Sequence, residues 1–314
     1  MTRRPSRRSA ALAVVVVALA TVTAACGLGP GPTPSGAALL VTENFGAQTL
    51  LSTSTPQISG SDTVMRLLER NAKVTTRYGG GFVESINGYA GGSESGQPDD
   101  WFYYVNGVQA AKGAAATKVH NADHIWWDRH IWAGTENIPA VVGEFPEPFL
   151  DGYGGTRYPT RVECTQTGTQ ACQGVESVLV GYKLPAALGC LDCSEYNQSL
   201  RVVVGPYPTL TVDSTADLLR DAPSASGVYA RFIDGGHKLE LLGQRGQVVQ
   251  TLGAGTGLVA ATRVTGAPPV WFVTGTDAAG VASAEQAFNA GTLDGHFAVA
   301  VVNDIAEPLP LGGP

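Results

Sequence analysis

Two histidines and an aspartate near the middle of the chain have the spacing of a metal site, and a third histidine follows them. His120, Asp123 and His124 stand at i, i+3 and i+4, which would let them bind one metal ion from a single helix face. The residues around Asp123, however, are typical of a turn that leads into a strand. His130 follows six residues after His124. We therefore interpret these as loop histidines and predict no metal ligand.

A glycine-rich stretch at residues 274–280 stands between a predicted strand and a predicted helix. Such a helix start can bind an anion, but an N-cap at Thr276 or Asp277 explains the stretch equally well. The nucleotide-binding spacing Gly-x-Gly-x-x-Gly is missing. Gly-x-Ser-x-Gly, His-Glu-x-x-His and Ser-x-x-Lys are also missing from the sequence. We predict no catalytic residue and a protein that is not an enzyme, with an enzyme in the second domain as an alternative.

The chain has five cysteines, four of which lie within residues 164–193. An even number of cysteines in an exported chain favours disulfides. We predict the two local pairs, Cys164–Cys172 and Cys190–Cys193, among three connectivities. A four-thiolate zinc site is one alternative, although only the second pair has Cys-x-x-Cys spacing. A redox-active Cys-x-x-Cys at the start of a helix is another.

The first 26 residues have the pattern of a secretory signal that ends in a cysteine. Four arginines precede an apolar run at residues 10–20, and Thr-Ala-Ala stands directly before Cys26. The segment resembles a bacterial lipoprotein signal, which implies lipid attachment at Cys26. We predict a signal peptide at 1–25, a Gly/Pro-rich tether at 26–36, and a location at the outer face of the cell membrane. An ordinary cleaved signal is the alternative.

Four of the five tryptophans fall within residues 101–132, among several tyrosines. Side chains alternate between the two faces of a strand, so consecutive aromatic residues cannot all lie in one core. One set must therefore face a ligand or a second domain. The candidate ligand-binding residues are Trp101, Tyr103, Tyr104, Trp126 and Trp127, with core or interdomain packing as the alternative.

Apolar periodicity predicts the elements that must position these side chains. We expect a helix that contains Val64, Leu67 and Leu68 and is capped at Ser61 or Asp62. Asn106-Gly107 is the strongest short signal for a hairpin turn. Strands are expected at residues 39–45, 48–53, 74–78, 82–86, 101–105 and 124–128. A hairpin followed by a helix and further strands is the order of a β-grasp fold, in which the helix packs on one face of a mixed sheet.

The motifs of this region resemble, in the same order, those of a bacterial family of domains of unknown function. They are Asp-Thr-Val-x-x-Leu-Leu at 62–68, Phe-Val-x-Ser-Ile-Asn-Gly at 82–88, Trp-x-Tyr-Tyr-Val-Asn-Gly at 101–107 and Ala-Asp-x-Ile-x-Trp at 122–127. That family is similar to the carboxy-terminal domain of the vitamin B12 carriers transcobalamin and intrinsic factor. The resemblance covers residues 37–133. It implies a corrinoid as bound ligand rather than as catalytic cofactor, and delivery to a membrane transporter.

Residues 134–159 are predicted to be a linker, because the Glu-Phe-Pro-Glu-Pro-Phe stretch at 144–149 is typical of extended chain. Strand and helix patterns resume over residues 160–312. Strands are expected at 160–163, 200–205, 228–233, 238–242, 248–252, 269–274 and 297–302, and helices near 175–182, 215–220 and 278–288. The predicted class is α+β: an N-terminal β-grasp-like domain, then an α/β or α+β domain.

The charge and the apolar content of the chain exclude further classes of function. The chain carries 20 basic and 27 acidic residues, a formal charge of −7. A nucleic-acid partner is therefore not predicted, because phosphate contacts need a basic surface. Only the apolar run at the start approaches the length of a membrane span. The sequence predicts an exported, lipid-anchored ligand-binding protein, with an envelope protein–protein interaction module as the alternative.

Overall fold

The computed structural model describes residues 36–53, 58–191 and 198–312. These residues belong to one compact unit that begins at Pro34. Strands predominate and the helices are short, which confirms the predicted α+β class. Within the described ranges, no helix is both long and apolar enough to cross a lipid bilayer. Cys26, the signal peptide and nearly all of the tether predicted at 26–36 lie outside these ranges.

Among its described residues, the first domain contains one α-helix and nine strands. Its elements are β1 (Ala38–Glu43), β2 (Gln48–Thr53), α1 (Val64–Asn71), β3 (Val74–Arg77), β4 (Phe82–Ile86), β5 (Tyr89–Ala90), β6 (Gly92–Glu94), β7 (Gln97–Val105), β8 (Val108–Gln109) and β9 (His124–Ile131). The N-cap of α1 is Thr63, not Ser61 or Asp62 as predicted. The Asp62 carboxylate instead accepts from the Ser59 backbone N–H and pairs with Arg70, which holds the pKa of Asp62 well below its usual range.

The main sheet of the first domain has the order β2-β1-β9-β7-β6, with β8 added to β7. The central pair β1 and β9 is parallel, and their outer neighbours are antiparallel. Leu67 and Leu68 of α1 pack with Leu39 and Trp127 on one face of this sheet. A helix on a mixed sheet is the arrangement predicted for a β-grasp domain.

The Asn106-Gly107 turn joins β7 to β8 as predicted. Both residues have positive φ, 53° and 73°, which is the backbone that this tight hairpin turn requires. A Cβ on Gly107 would also lie 3.0 Å from the Val141 carbonyl oxygen. Glycine is therefore needed here both for the turn and for the close approach of the next segment.

The second domain is built on a seven-stranded sheet. Its elements are β10 (Thr160–Cys164), α2 (Gln170–Gly181), β11 (Ala186–Cys190), β12 (Leu200–Pro206), α3 (Tyr207–Leu210), β13 (Ala230–Ile233), β14 (Lys238–Leu242), β15 (Val248–Leu252), β16 (Gly257–Thr262), β17 (Val270–Gly275), α4 (Ala278–Ala287), α5 (Ala290–Leu293), β18 (Ala298–Val302) and β19 (Ile305–Leu309). Two 3₁₀ turns lie at Ala216–Leu219 and Asp234–Gly236. The order of the large sheet is β11-β10-β12-β17-β16-β18-β19.

Three strands of the second domain were not predicted: β11, β16 and β19. Gly189 and Cys190 lie in β11, and the strand predicted at 297–302 is followed by β19. These strands lack a clear alternation of polar and apolar residues. The six residues of β16 are all buried, because both faces of this part of the sheet are covered.

Alternate residues of the large sheet enter two different cores. Val202 of β12 and Trp271 of β17 pack in the core that contains α2 and α4. Val203 and Phe272, their chain neighbours, pack in a core shared with the first domain and the β13-β14-β15 sheet. The two predicted domains are therefore joined by a common hydrophobic core.

The segment predicted as a linker is packed against both domains. Ala140 pairs with Val108 of β8, and the Val141 N–H donates to the Gly107 carbonyl oxygen at 2.9 Å. Farther along, Phe145 and Phe149 pack on Trp271 of the second domain. The segment thus pairs with the edge of the first sheet and packs against the hydrophobic core of the second domain.

The disulfide Cys164–Cys172 is present and confirms the predicted pair. It ties the end of β10 to the first turn of α2. Because these two sulfurs are bonded to each other, the four-thiolate zinc alternative is excluded. Cys190 is also disulfide-bonded, whereas Cys193, its predicted partner, lies outside the described residues.

Candidate ligand-binding site

Four of the five aromatic candidates are buried. Trp101 and Trp127 are buried in the core that contains α1. Tyr104 and Trp126 are completely buried on the opposite face, where the ring of Phe297 from the second domain lies 5.6 and 5.2 Å from theirs. This face is therefore covered by interdomain packing, the alternative interpretation of the cluster.

Tyr103 differs from the other four because it is only half-buried. Its ring packs 4.9 Å from that of Trp127, between centroids. Its hydroxyl donates to the Lys112 carbonyl oxygen and lies 2.8 Å from Oγ1 of Thr117. Tyr103 thus fastens the loop of residues 110–119 to the sheet.

Asn106 connects three parts of the chain from a completely buried position. Its side-chain amide donates to the Gly152 carbonyl oxygen at 2.5 Å and to Asp123 at 3.2 Å. Its side-chain oxygen accepts from the His124 N–H at 2.7 Å. The most specific motif of the first domain therefore docks the segment that leads into the second domain.

A cavity of about 400 Å³ opens beside this junction. Its apolar floor is formed by Val105 and Val108. The lining also includes the small side chains of Ala110, Ala111 and Ala116, which occupy little of its volume. Loop 110–119 forms one wall, and its Ala114 and Thr117 carbonyl oxygens accept from the first N–H groups of α1. The remaining lining residues are Gln109, Lys112, Thr117, Lys118, His120, Tyr153, Gly154 and Arg263. Both domains thus contribute to the cavity.

The polar wall of the cavity is cationic. Lys112 and Lys118 are exposed at its rim, whereas Arg263 is half-buried. The Arg263 guanidinium donates to the Gln109 carbonyl oxygen at 2.8 Å, and the Tyr153 and Tyr158 hydroxyls also lie near it. Burial lowers the pKa of Arg263 from its usual range. The described lining residues include no aspartate or glutamate.

The three histidines bind different carboxylates. Nδ1 of His120 lies 3.3 Å from Asp123, that of His124 lies 2.9 Å from Glu144, and that of His130 lies 2.7 Å from Asp128. Within the described ranges, no group of three or more His, Cys, Asp or Glu side chains could hold a metal ion.

Glu147 is a second titratable group at the junction. It is almost completely buried, and its Oε2 accepts from the Asp151 N–H at 3.0 Å. Burial raises the pKa of Glu147 to about 8. The His124 pKa is also raised, chiefly by its bond to Glu144 and further by the charges of Glu144 and Glu147.

The glycine-rich stretch 274–280 forms the start of α4. Asp277 is the N-cap, and its carboxylate accepts from the Gly280 and Gly255 N–H groups, both at 2.9 Å. This agrees with the capping interpretation. Ala278 also borders a recess of about 500 Å³ at the carboxyl ends of β10 and β12.

Sequence reasoning missed Arg263 and Tyr153 as site residues. Arg263 follows β16, a strand that was not predicted, and it lies 154 positions from the residue to which it donates. Tyr153 precedes Gly154-Gly155, a local turn signal in the segment interpreted as linker. No local pattern indicated that these two residues meet.

Comparison with known proteins supports part of the resemblance. Residues 61–130 match the model of a domain of unknown function, DUF4430. No curated protein and no solved structure shows significant similarity to the chain. The match includes Tyr103, Asn106 and the cavity loop, but neither Tyr153 nor Arg263. The cavity therefore combines a family domain with residues outside it.

Proposed function

We propose that this protein is an exported, lipid-anchored binding protein that holds a small ligand in the cavity at its domain junction. The single observation that supports this most is the cavity itself. Its volume of about 400 Å³ falls in the range of roughly 300–1,000 Å³ typical of ligand sites, which often lie between domains. An apolar floor with a few polar groups at one wall is also typical of such sites.

The proposed ligand is a corrinoid, which a membrane transporter would then receive. The resemblance of the motifs at residues 62–127 to the carboxy-terminal domain of the vitamin B12 carriers supports this choice, and residues 61–130 match a family model. Because Tyr104 and Trp126 are covered and a corrinoid is larger than the cavity, such a ligand would bind at the mouth of the cavity with only part of its surface inside, and not on the aromatic sheet face. The function is binding and delivery, without a catalytic step or cofactor.

Titration of the purified full-length protein with cobalamin and with cobinamide tests this proposal. Ala116→Trp should fill the cavity and abolish the spectral change that binding produces. Ala279→Trp, at an exposed position of α4, is the matched control and should bind like the wild type. Equal binding by both variants would exclude the cavity as the site.

The proposed location rests on the signal-like segment and on the disulfides, which are typical of exported proteins. Two acyl chains hold a protein stably at a membrane, whereas one binds only marginally. We predict that Cys26→Ser releases the protein from the membrane fraction into the soluble fraction. Mass spectrometry of the wild type should show lipid on Cys26, and an unlipidated secreted protein would contradict the anchor.

A protein–protein interaction module is the second candidate, and one surface favours it. Tyr78 is 86% exposed, and its ring lies 6.3 Å from that of Phe82 of β4. Exposed Tyr89 lies on β5, which pairs with β4. Exposed aromatic clusters often mark docking surfaces. Replacing Tyr78 and Phe82 by serine should then abolish crosslinking to an envelope protein, while ligand binding stays unchanged.

A further inference from the structure

We infer that the ligand of the junction cavity carries a carboxylate or phosphate group, and that Arg263 is the residue that binds it. This inference rests on the proposed binding function and specifies its ligand class. It stands on the pairing of the arginines, on the composition of the cavity wall and on the position of the guanidinium.

Among the described residues, Arg263 differs from the other half-buried arginines in its ion pairing. Arg129, Arg161, Arg201 and Arg231 each form an ion pair with a carboxylate. Arg263 has none among the described residues. Burying a charged side chain is costly unless it is paired. An arginine that lacks a carboxylate in a chain of net charge −7 indicates a partner supplied from outside.

The guanidinium retains donors for such a partner. Arginine has five N–H donors in a planar fork. The Gln109 carbonyl oxygen and the Tyr153 hydroxyl account for part of them. The rest can bind a carboxylate or phosphate in the two-bond geometry that makes arginine the preferred residue for these groups.

The surroundings of Arg263 favour the same ligand class. Lys112 and Lys118 add positive charge at the rim, and His120 lies beside them. The apolar floor of Val105 and Val108 would receive the uncharged body of the ligand. A small anionic molecule with an apolar part therefore fits both walls of the cavity.

Matched pairs of small probes test the charge requirement. Phenyl phosphate and benzoate are the charged probes, and benzyl alcohol and benzamide are their neutral counterparts. We expect saturation-transfer NMR and equilibrium dialysis to show at least about tenfold tighter binding of the charged probes, as charged hydrogen bonds of this kind provide. Ala116→Trp should abolish this binding.

Arg263→Gln should remove the preference for the charged probes. Arg263→Lys keeps the charge but loses the fork, and should retain only part of the preference. Arg245→Gln is the control, because it removes an exposed positive charge that does not line the cavity. Melting temperatures show that each variant is folded. If Arg263→Gln does not fold, the Arg263→Lys variant provides the test. Full preference of that variant for the charged probes would contradict the inference.

The outcomes separate this inference from the proposed function. Neutral probes that bind as tightly as charged ones, and are blocked by Ala116→Trp, would overturn the anion requirement while supporting a ligand cavity. An undiminished preference in Arg263→Gln would overturn the role of Arg263. No binding of any probe or corrinoid to the wild type would overturn both.

Discussion

At the scale of single residues, the motif side chains of Asn106 and Tyr103 hold other segments of the chain in place. Asn106 joins β7, β9 and the segment before the second domain, and Tyr103 fastens the cavity loop. The two positions differ in burial, since Asn106 is completely buried and Tyr103 is half-buried. A residue of a family motif can therefore shape a ligand site without facing the ligand.

The aromatic cluster should divide into packing and positioning residues. Trp126→Ala removes a completely buried side chain and should cost about 3–5 kcal/mol of unfolding free energy. Tyr103→Phe removes only a hydroxyl, at a cost of about 1 kcal/mol, but it frees loop 110–119 and should weaken ligand binding. Denaturant unfolding and the probe titrations measure the two effects. A Tyr103→Phe variant with unchanged affinity would show that the loop needs no such bond.

At the scale of elements, the packed junction segment carries a pH-dependent group. The Glu147 pKa is about 8 in the folded protein and near its ordinary 4.5 in the unfolded chain. Between these two pH values the folded state binds more protons, so stability falls as the pH rises through this window. His124, whose pKa is raised by Glu144, contributes with the same sign as the pH rises above its ordinary value near 6.5.

Glu147→Gln should remove the part of this loss of stability that ionisation of Glu147 causes. The variant should match the wild type at about pH 4.5 and become more stable with rising pH, by at most about 1.4 kcal/mol per pH unit. Unfolding curves from pH 5 to 9 give the difference in unfolding free energy between the variant and the wild type. Contributions from His124 and other groups largely cancel in this difference. Glu136→Gln, at an exposed position, is the control. A constant difference across the range would show that the Glu147 pKa is not raised in the folded protein.

The disulfide between β10 and α2 should contribute measurably to stability. Its short loop, with a sequence separation of 8, predicts a loss of about 2–3 kcal/mol in the double variant Cys164→Ala, Cys172→Ala. Alkylation without reduction should leave Cys164, Cys172 and Cys190 unmodified in the wild type. A double variant as stable as the wild type would show that packing alone holds α2 on the sheet.

At the scale of the whole molecule, the two domains depend on each other. The second domain covers the face that holds Tyr104 and Trp126, and each large apolar side chain exposed again would cost about 1.5–3 kcal/mol. The cavity also loses Tyr153 and Arg263 when the first domain stands alone. The family domain by itself is therefore incomplete as a fold and as a site.

Residues 37–133 expressed alone should consequently aggregate or bind a hydrophobic dye, whereas the full chain should not. Light scattering and dye fluorescence, compared with those of the full chain, measure this. Folded, monomeric and dye-free residues 37–133 would contradict the dependence and show that the shared core is dispensable for the first domain.

Local patterns in the sequence were sufficient for much of the fold. Turn chemistry determined the Asn106-Gly107 hairpin, apolar periodicity determined α1 and most strands, and proximity determined Cys164–Cys172. These features depend on interactions between residues close in sequence. β16 lacked such a pattern, because all six of its residues are buried between segments that come from elsewhere in the chain.

Only the tertiary structure decided what covers each surface. Alternation assigned Trp126 and Trp127 to opposite faces of a strand, but it could not say that Phe297 packs on the face of Trp126. Likewise, Arg263 reaches the carbonyl oxygen of Gln109, 154 residues away, and no local signal in the chain encodes that approach. The sequence determines which side chains share a face, whereas the docking of distant segments decides which of them are buried, paired or left to bind a ligand.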